Sequence, residues 1–404
     1  MKTITDDIMK SMAGSSWIRR MFEKGMELKR RHGADAVCDF SLGNPDVPPP
    51  AKARAALEAI AADAVKPLGL GYCPNAGIPA VREAMAGYLS AQQGVAVPAG
   101  CVVMTVGAAG ALVSFFRATV EPGDEIIVPA PYFVEYASYC GHFGGVLKPV
   151  ITKRDDFGID LEGIAAAVTP RTRAILVNSP NNPTGAIYSE DEMKSLAKLV
   201  TDVNAAREKD LGEDARPVYL LSDEPYRAFA YDGAKVAPVL PLTPWSVVLG
   251  SFSKTLSLAG ERIGYTALNS AMPGVDTLAA ALTLTNRTLG FVNAPVIGQR
   301  LAAALLSETV DLEIYDRRRK LMSDVLRDAG IEFAEPKGAF YFFPKAPGGD
   351  DIAFTDALAE ELILVVPGRG FGMPGHVRLS CSVDEAIIER SRAGFKRTME
   401  RFVK

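Results

Sequence analysis

Between residues 102 and 268 the chain repeats one pattern: a short apolar run, a turn, then a longer stretch with helical spacing. Apolar runs at 102–105, 125–128, 174–177, 218–221, 247–249 and 263–268 predict strands. The intervening segments predict helices, one from Gly107 to about residue 120 and another over 132–142. A third follows Ser189, which with Glu192 three positions later forms a capping box. Glu121-Pro122-Gly123-Asp124 reads as a turn. Strand and helix in alternation imply an α/β unit with a mostly parallel sheet. In such sheets ligands bind beyond the carboxyl ends of the strands.

The two ends of the chain read differently. Residues 15–32 carry Arg, Lys, Glu and Met at helical spacing and stop before Gly33. An extended segment at 37–42 then enters Gly43-Asn44-Pro45-Asp46, and prolines at 48–50 mark a hinge or crossover between domains rather than a disordered linker. Beyond about residue 290, long helical stretches at 294–307 and 310–329 precede short apolar runs at 338–343, 362–366 and 377–380. These predict a smaller α+β unit closed by a C-terminal helix.

Composition narrows the class without choosing a function. With 404 residues, 48% hydrophobic and 23% charged, the chain can bury a large core. A formal charge of −4 gives no reason to expect nucleic acid or an anionic membrane as partner. The opening MKTITDDIMK has two acids and no apolar core, unlike a signal peptide, and no uninterrupted apolar run is long enough to span a bilayer. Five scattered cysteines without a CxxC pair read as reduced thiols of a cytoplasmic protein, and three distant histidines argue against a metal site.

The candidate chemistry sits where the strands end. Lys254 lies in Gly-Ser-Phe-Ser-Lys-Thr directly after the run 247–249, with Arg262 eight residues on. A neutral amine condenses with an aldehyde, and nearby positive charge keeps a lysine neutral. Asp223, in Ser-Asp-Glu-Pro-Tyr, would hold a protonated ring nitrogen, and Tyr226 and Asn182 would donate hydrogen bonds to a ring oxygen. Gly107-Ala108-Ala109 at a strand-to-helix turn offers backbone N–H groups to a phosphate. Ser251 and Ser253 add hydroxyls there and Arg262 a guanidinium fork. Phe133 would stack on the ring, with Tyr132 as the competing aromatic. Arg378, in an otherwise apolar run, needs an anion: an internal Asp or Glu, or a substrate α-carboxylate. An amine, an acid, a phenol, an amide and a cation in this arrangement are the parts that hold pyridoxal 5'-phosphate.

Those blocks resemble the class I/II aminotransferases of the fold-type I pyridoxal-phosphate enzymes, the aspartate aminotransferase-like group. The resemblance runs from Ser-Leu-Gly-Asn-Pro-Asp at 41, through Gly-Tyr-Cys-Pro-Asn-Ala-Gly at 71 and Asn-Asn-Pro-Thr-Gly at 181, to Lys254, Arg262 and Arg378. It implies a large domain over 49–288 with a mostly parallel seven-stranded sheet flanked by helices, and a small domain built from 1–48 and 289–404. It also implies a homodimer with shared sites, in which Tyr72 reaches the neighbour's phosphate, and Gly43 over the substrate. The implied activity is ping-pong transfer of an amino group between an L-amino acid and a 2-oxo acid. Lys254, Asp223 and Tyr226 would be its catalytic residues, and Gly43, Asn182 and Arg378 would bind substrate.

Aspartate with 2-oxoglutarate is the favoured pair, suggested by the start Ser-Trp-Ile-Arg-Arg-Met-Phe. A second carboxylate needs a cation, for which Arg287, Arg19 and Arg20 are candidates, since position 109 is alanine. Tyr341 and Phe342 would instead suit an aromatic or apolar substrate, and alanine transamination or C–S β-lyase chemistry is compatible with the same motifs.

Overall fold

The computed structural model describes residues 3–6, 8, 9, 17–152 and 154–402, without the side chains of Ile18, Arg19 and Glu213. Residues 1, 2, 7 and 10–16, and the side chain of Arg19 as a candidate cation, therefore lie outside what is described.

Seven strands form the central sheet: β2 Val102–Thr105, β3 Glu125–Ala130, β4 Val146–Ile151, β5 Thr172–Asn178, β6 Tyr219–Asp223, β7 Ser246–Ser251 and β8 Gly264–Leu268. (β1 is Cys38–Asp39, near the N-terminus.) Their order is β2-β8-β7-β6-β5-β3-β4. β8 runs antiparallel to both its neighbours and the other pairings are parallel. The sheet is thus the mostly parallel α/β sheet the sequence predicts. Strands β2, β5, β6, β7 and β8 are buried at every position, which is why they read as unbroken apolar runs rather than alternations.

β4, which the apolar pattern misses, is one of the two edge strands. Its sequence VLKPVI is interrupted by Lys148 and Pro149, and Val146 and Ile151 are exposed. A charge and a proline on an edge block pairing with another chain and also erase the strand signal.

Helix boundaries follow local chemistry. The capping box at Ser189 and Glu192 is formed, and the helix it opens runs Glu190–Leu211. The helix expected over 132–142 is shorter, Tyr136–Gly141, and the Tyr132 N–H ahead of it is donated to the Phe371 carbonyl. Asp311 caps Leu312–Asp328, and Trp17–His32 accounts for the first basic stretch.

A second set of short strands stands apart from the main sheet. β1 pairs in parallel with β10, Ile363–Leu364, and β11, Val366–Pro367, pairs antiparallel with β12, Val377–Ser380. β12 in turn pairs with β9, Tyr341–Phe342. Buried side chains fall chiefly into two clusters. One surrounds the seven-stranded sheet and extends to Leu305, and the other joins Cys38, Phe40 and Val47 to residues 226–231 and 310–395. Helix Val296–Ala304 packs with the first cluster.

The parallel strands β2, β3, β5, β6 and β7 all deliver their carboxyl ends to one edge of the sheet. Thr105, Ala130, Asn178, Asp223 and Ser251 end them, and the segments that follow carry the expected site.

Candidate active site

At that edge lies a cavity of about 340 Å³. It is lined by Gly43, Ala108, Ala109, Phe133, Asn182, Asp223, Tyr226, Ser251, Ser253, Lys254, Arg262 and Arg378, which brings twelve of the expected residues together. A larger hollow of about 610 Å³ lies elsewhere, where Arg154 pairs with Asp156 and Glu192, and Lys345 with Asp155 and Glu332.

Lys254 stands on the single turn Phe252–Thr255 that follows β7. Its Nζ donates to the Gly43 carbonyl at 2.6 Å and has no carboxylate partner among the described residues. Burial, then the Arg378 and Arg262 charges, lower its pKa to about 8. At pH 7 that raises the neutral fraction roughly 300-fold over an ordinary lysine. A neutral amine at this place has the chemistry of a nucleophile or a base.

Asp223 ends β6 and is buried. Its Oδ2 accepts a hydrogen bond from the Tyr136 hydroxyl at 2.6 Å, whereas Oδ1 is buried with no partner. Burial pushes the carboxyl up to about 7, against the opposing Tyr136 bond. An orphaned buried oxygen is costly, so its retention beside a cavity points to a donor that the chain itself does not supply. The sign of the stability effect is set by this raised value. The fold keeps a proton that the unfolded chain has lost between the usual carboxylate range and about pH 7, so stability falls as pH rises through that window. Asp223→Asn should therefore raise the melting temperature of the ligand-free protein by roughly a few degrees above pH 7. The gain should vanish toward pH 4, a pattern checked by thermal melts across pH.

Arg378, on β12, is buried and has no acidic partner among the described residues. It donates from Nη2 to the Ser41 carbonyl at 2.5 Å and from Nη1 to Asn182 Oδ1 at 3.2 Å. The Tyr341 and Phe371 rings flank it at 4.9 and 4.8 Å, and Nε has no hydrogen-bond partner. The internal ion pair that the sequence left open is absent, so the guanidinium remains available to an anion entering the cavity.

The other groups are fixed by short-range bonds. Asn178 Nδ2 donates to the Asp223 carbonyl at 2.8 Å while its Oδ1 accepts from the Asn182 N–H at 2.8 Å, tying the ends of β5 and β6. Tyr226 and Tyr341 share a hydroxyl–hydroxyl bond of 2.9 Å, and burial raises both phenols. A Cβ at Gly43 would overlap the Tyr341 hydroxyl, so only glycine fits there. Ser251 Oγ donates to Ser253 Oγ at 2.8 Å. Arg262 takes a left-handed backbone conformation, φ 51°, beside the start of helix Gly107–Thr119.

A model of the family described as aminotransferase class I and II matches residues 35–393. The chain belongs to the class I and II aminotransferases. Among characterised relatives of this aminotransferase, the aspartate/prephenate aminotransferase of Thermus thermophilus is 35% identical over 94% of each chain. The aspartate aminotransferase of Geobacillus stearothermophilus is 33% identical over 94% of each. The crystal structure of an aminotransferase from Eubacterium rectale superposes with a TM-score of 0.93 at 35% identity, covering all of both chains. That of the Thermus thermophilus aspartate aminotransferase with maleate gives 0.83 at 29%, covering 98% of this chain and all of the other.

Two expected residues of the aminotransferase site stand outside the cavity. Gly107 sits behind it, where a Cβ would come within 2.9 Å of Arg262 Nη2. Tyr72 is 92% exposed and lines a shallow surface hollow with Phe291 and Val296. Phe133, not Tyr132, faces the cavity, and Phe342 packs away from it against Phe333. Arg287 and Arg20 are exposed and line no part of it. Leu112, Tyr136, Tyr139 and Asn178 contribute to the site or its support without having been singled out in the sequence. Tyr136 and Tyr139 were legible only as members of a helix after β3.

Proposed function

We propose that this aminotransferase uses pyridoxal 5'-phosphate to exchange an amino group between an L-amino acid, aspartate preferred, and a 2-oxo acid such as 2-oxoglutarate. The carrying observation is the buried, partnerless Asp223 Oδ1 on the same cavity as a lysine of lowered pKa and, among the described residues, a carboxylate-free arginine. The donor set fits the cofactor. Asp223 would hold its ring nitrogen, Tyr226 and Asn182 its ring oxygen, and Phe133 one ring face. Ser251, Ser253, Arg262 and the N–H groups of Ala108 and Ala109 would hold the phosphate, and Lys254 would bond its aldehyde carbon. When bound, that group supplies an electron-withdrawing ring that stabilises the pair left at the substrate Cα as its proton departs.

The chain's own residues do the rest. Arg378 orients the substrate α-carboxylate, with Gly43 leaving room beneath Tyr341. The Lys254 amine, whose neutral fraction is raised by burial and two cations, carries the proton away from Cα. Because a single cavity serves both substrates, the first product leaves before the second substrate enters, which is the ping-pong order.

Relatives named as aspartate aminotransferases support the aspartate preference. The cavity's cations, Lys254, Arg262 and Arg378, all have other roles, so a second carboxylate would need one from a partner chain, with Arg287 the candidate. A dimer is supported by the surface around Tyr72, where Val65 and Leu68 are each 89% exposed. Sedimentation equilibrium at twice the chain mass would bear it out, and a monomer would remove it. We place the border between the two domains near residue 305, because Ala294–Leu305 side chains pack with the sheet.

One observation favours a second reading, an aromatic substrate: Leu112, Phe133, Tyr139 and Tyr341 line the same cavity. An absorbance-monitored panel of Asp, Glu, Ala, Phe and Tyr against the cofactor-loaded enzyme separates the two. Aspartate should convert the cofactor fastest. Faster conversion by Phe or Tyr would replace the preference, and pyruvate with ammonia from cystathionine, without amino transfer, would mean a lyase.

A further inference from the structure

A carboxylate has two equivalent oxygens and a soft terminal torsion, so Asp223 by itself does not determine which oxygen meets a ligand. One side chain breaks that symmetry. Tyr136 is wholly buried at the start of helix Tyr136–Gly141, and its hydroxyl donates to Asp223 Oδ2 across 87 residues of chain. Its ring meets the Phe133 ring edge to face, centroids 5.5 Å apart. One residue therefore grips two cavity-lining side chains, one after β3 and one at the end of β6.

We propose that Tyr136 is a positioning residue: its hydroxyl occupies Oδ2 so that Oδ1 faces the cavity, and its ring sets the stacking face of Phe133. The proposal rests on the cofactor reading above and adds a residue that the motifs do not contain.

The surroundings leave this task to Tyr136. Glu224, next in the chain, opposes the charge on Asp223, and burial opposes it more strongly. Tyr139, Tyr226 and Tyr265 feel the Asp223 charge, but they are neutral phenols whose ionisation burial pushes up, and Tyr188 beside Tyr136 is another. Lys254 opens on the same cavity, and its neighbouring charges are those of Arg378 and Arg262. The Tyr136 hydroxyl is the group that favours the carboxylate form. A hydrogen bond to a buried charged group shifts a titration by about one to two pH units.

Tyr136→Phe keeps the ring against Phe133 and removes only the hydroxyl, and circular dichroism melts establish that it folds. In the cofactor-free protein, the carboxyl band of Asp223 is followed by infrared titration and assigned by its loss in Asp223→Asn. The midpoint should rise by about one to two units. In the cofactor-loaded enzyme the acid limb of the kcat profile should move up with it. At pH 7 kcat should fall about tenfold with little change in KM, and recover as pH rises. A midpoint that does not move overturns the proposal, and so does a loss of kcat that is the same at every pH. Failure of the cofactor reading would look different: the parent protein would not bind pyridoxal phosphate at all, whatever the titration of Asp223.

Discussion

Lys254→Ala should abolish turnover, with steady-state amino transfer down by at least about 10⁴-fold, the upper end for loss of a positioned acid–base group. The variant removes two roles at once, the bond to the cofactor and the base at Cα, and among the described residues no second amine lines the cavity to replace either. Cofactor binding itself should survive, because Asp223, Tyr226, Ser251, Ser253 and Arg262 are untouched. The bound cofactor should then lack the absorbance that a lysine-bonded aldehyde gives. Steady-state assays and spectra of the same preparation check both halves, and appreciable turnover would refute the role.

Arg378→Leu carries the next largest effect, and it should fall on function far more than on stability. Truncating one partner of a buried, hydrogen-bonded charge pair costs about 2–5 kcal/mol, so kcat/KM for amino acids should fall about 30- to 5,000-fold. Amines of similar size without a carboxylate should lose almost nothing, which separates carboxylate binding from general damage. In the ligand-free protein the guanidinium is buried without an acidic partner, and its Nε is unsatisfied. Leucine removes that unmet cost but is smaller and leaves the Ser41 carbonyl and Asn182 Oδ1 without this donor, so the two effects oppose and the melting temperature should change little. An equal fall for both substrate kinds, or a large drop in melting temperature, would contradict this role for Arg378.

Much of this site is legible in the sequence because its residues sit at punctuation marks. Asp223 and Ser251 end fully buried strands, and buried parallel strands announce themselves as apolar runs. Once the sheet is parallel, the ends of β2, β3, β5, β6 and β7 must share an edge, and side chains far apart in sequence converge there. What stays hidden depends on tertiary geometry. Tyr136 meets Asp223 over 87 residues, and nothing local marks it as different from Tyr139. Phe133 and Tyr132 are adjacent in a turn, where no periodicity decides which one faces inward. β4 is an edge strand whose lysine and proline suppress the signal that its buried neighbours show. β1, β10 and β11 have two residues each, too short for any pattern to fix their bounds. Tyr72 is exposed in a single chain, so a role for it can be completed only by a partner.

The most direct measurement is reduction of the pyridoxal-phosphate-loaded protein with borohydride, followed by proteolysis and mass spectrometry. If Lys254 is the amine that bonds the cofactor, the pyridoxyl-phosphate mass will be found on the peptide containing Gly-Ser-Phe-Ser-Lys-Thr and localised to Lys254. An adduct on a different lysine, or a loaded protein that yields none, would contradict it.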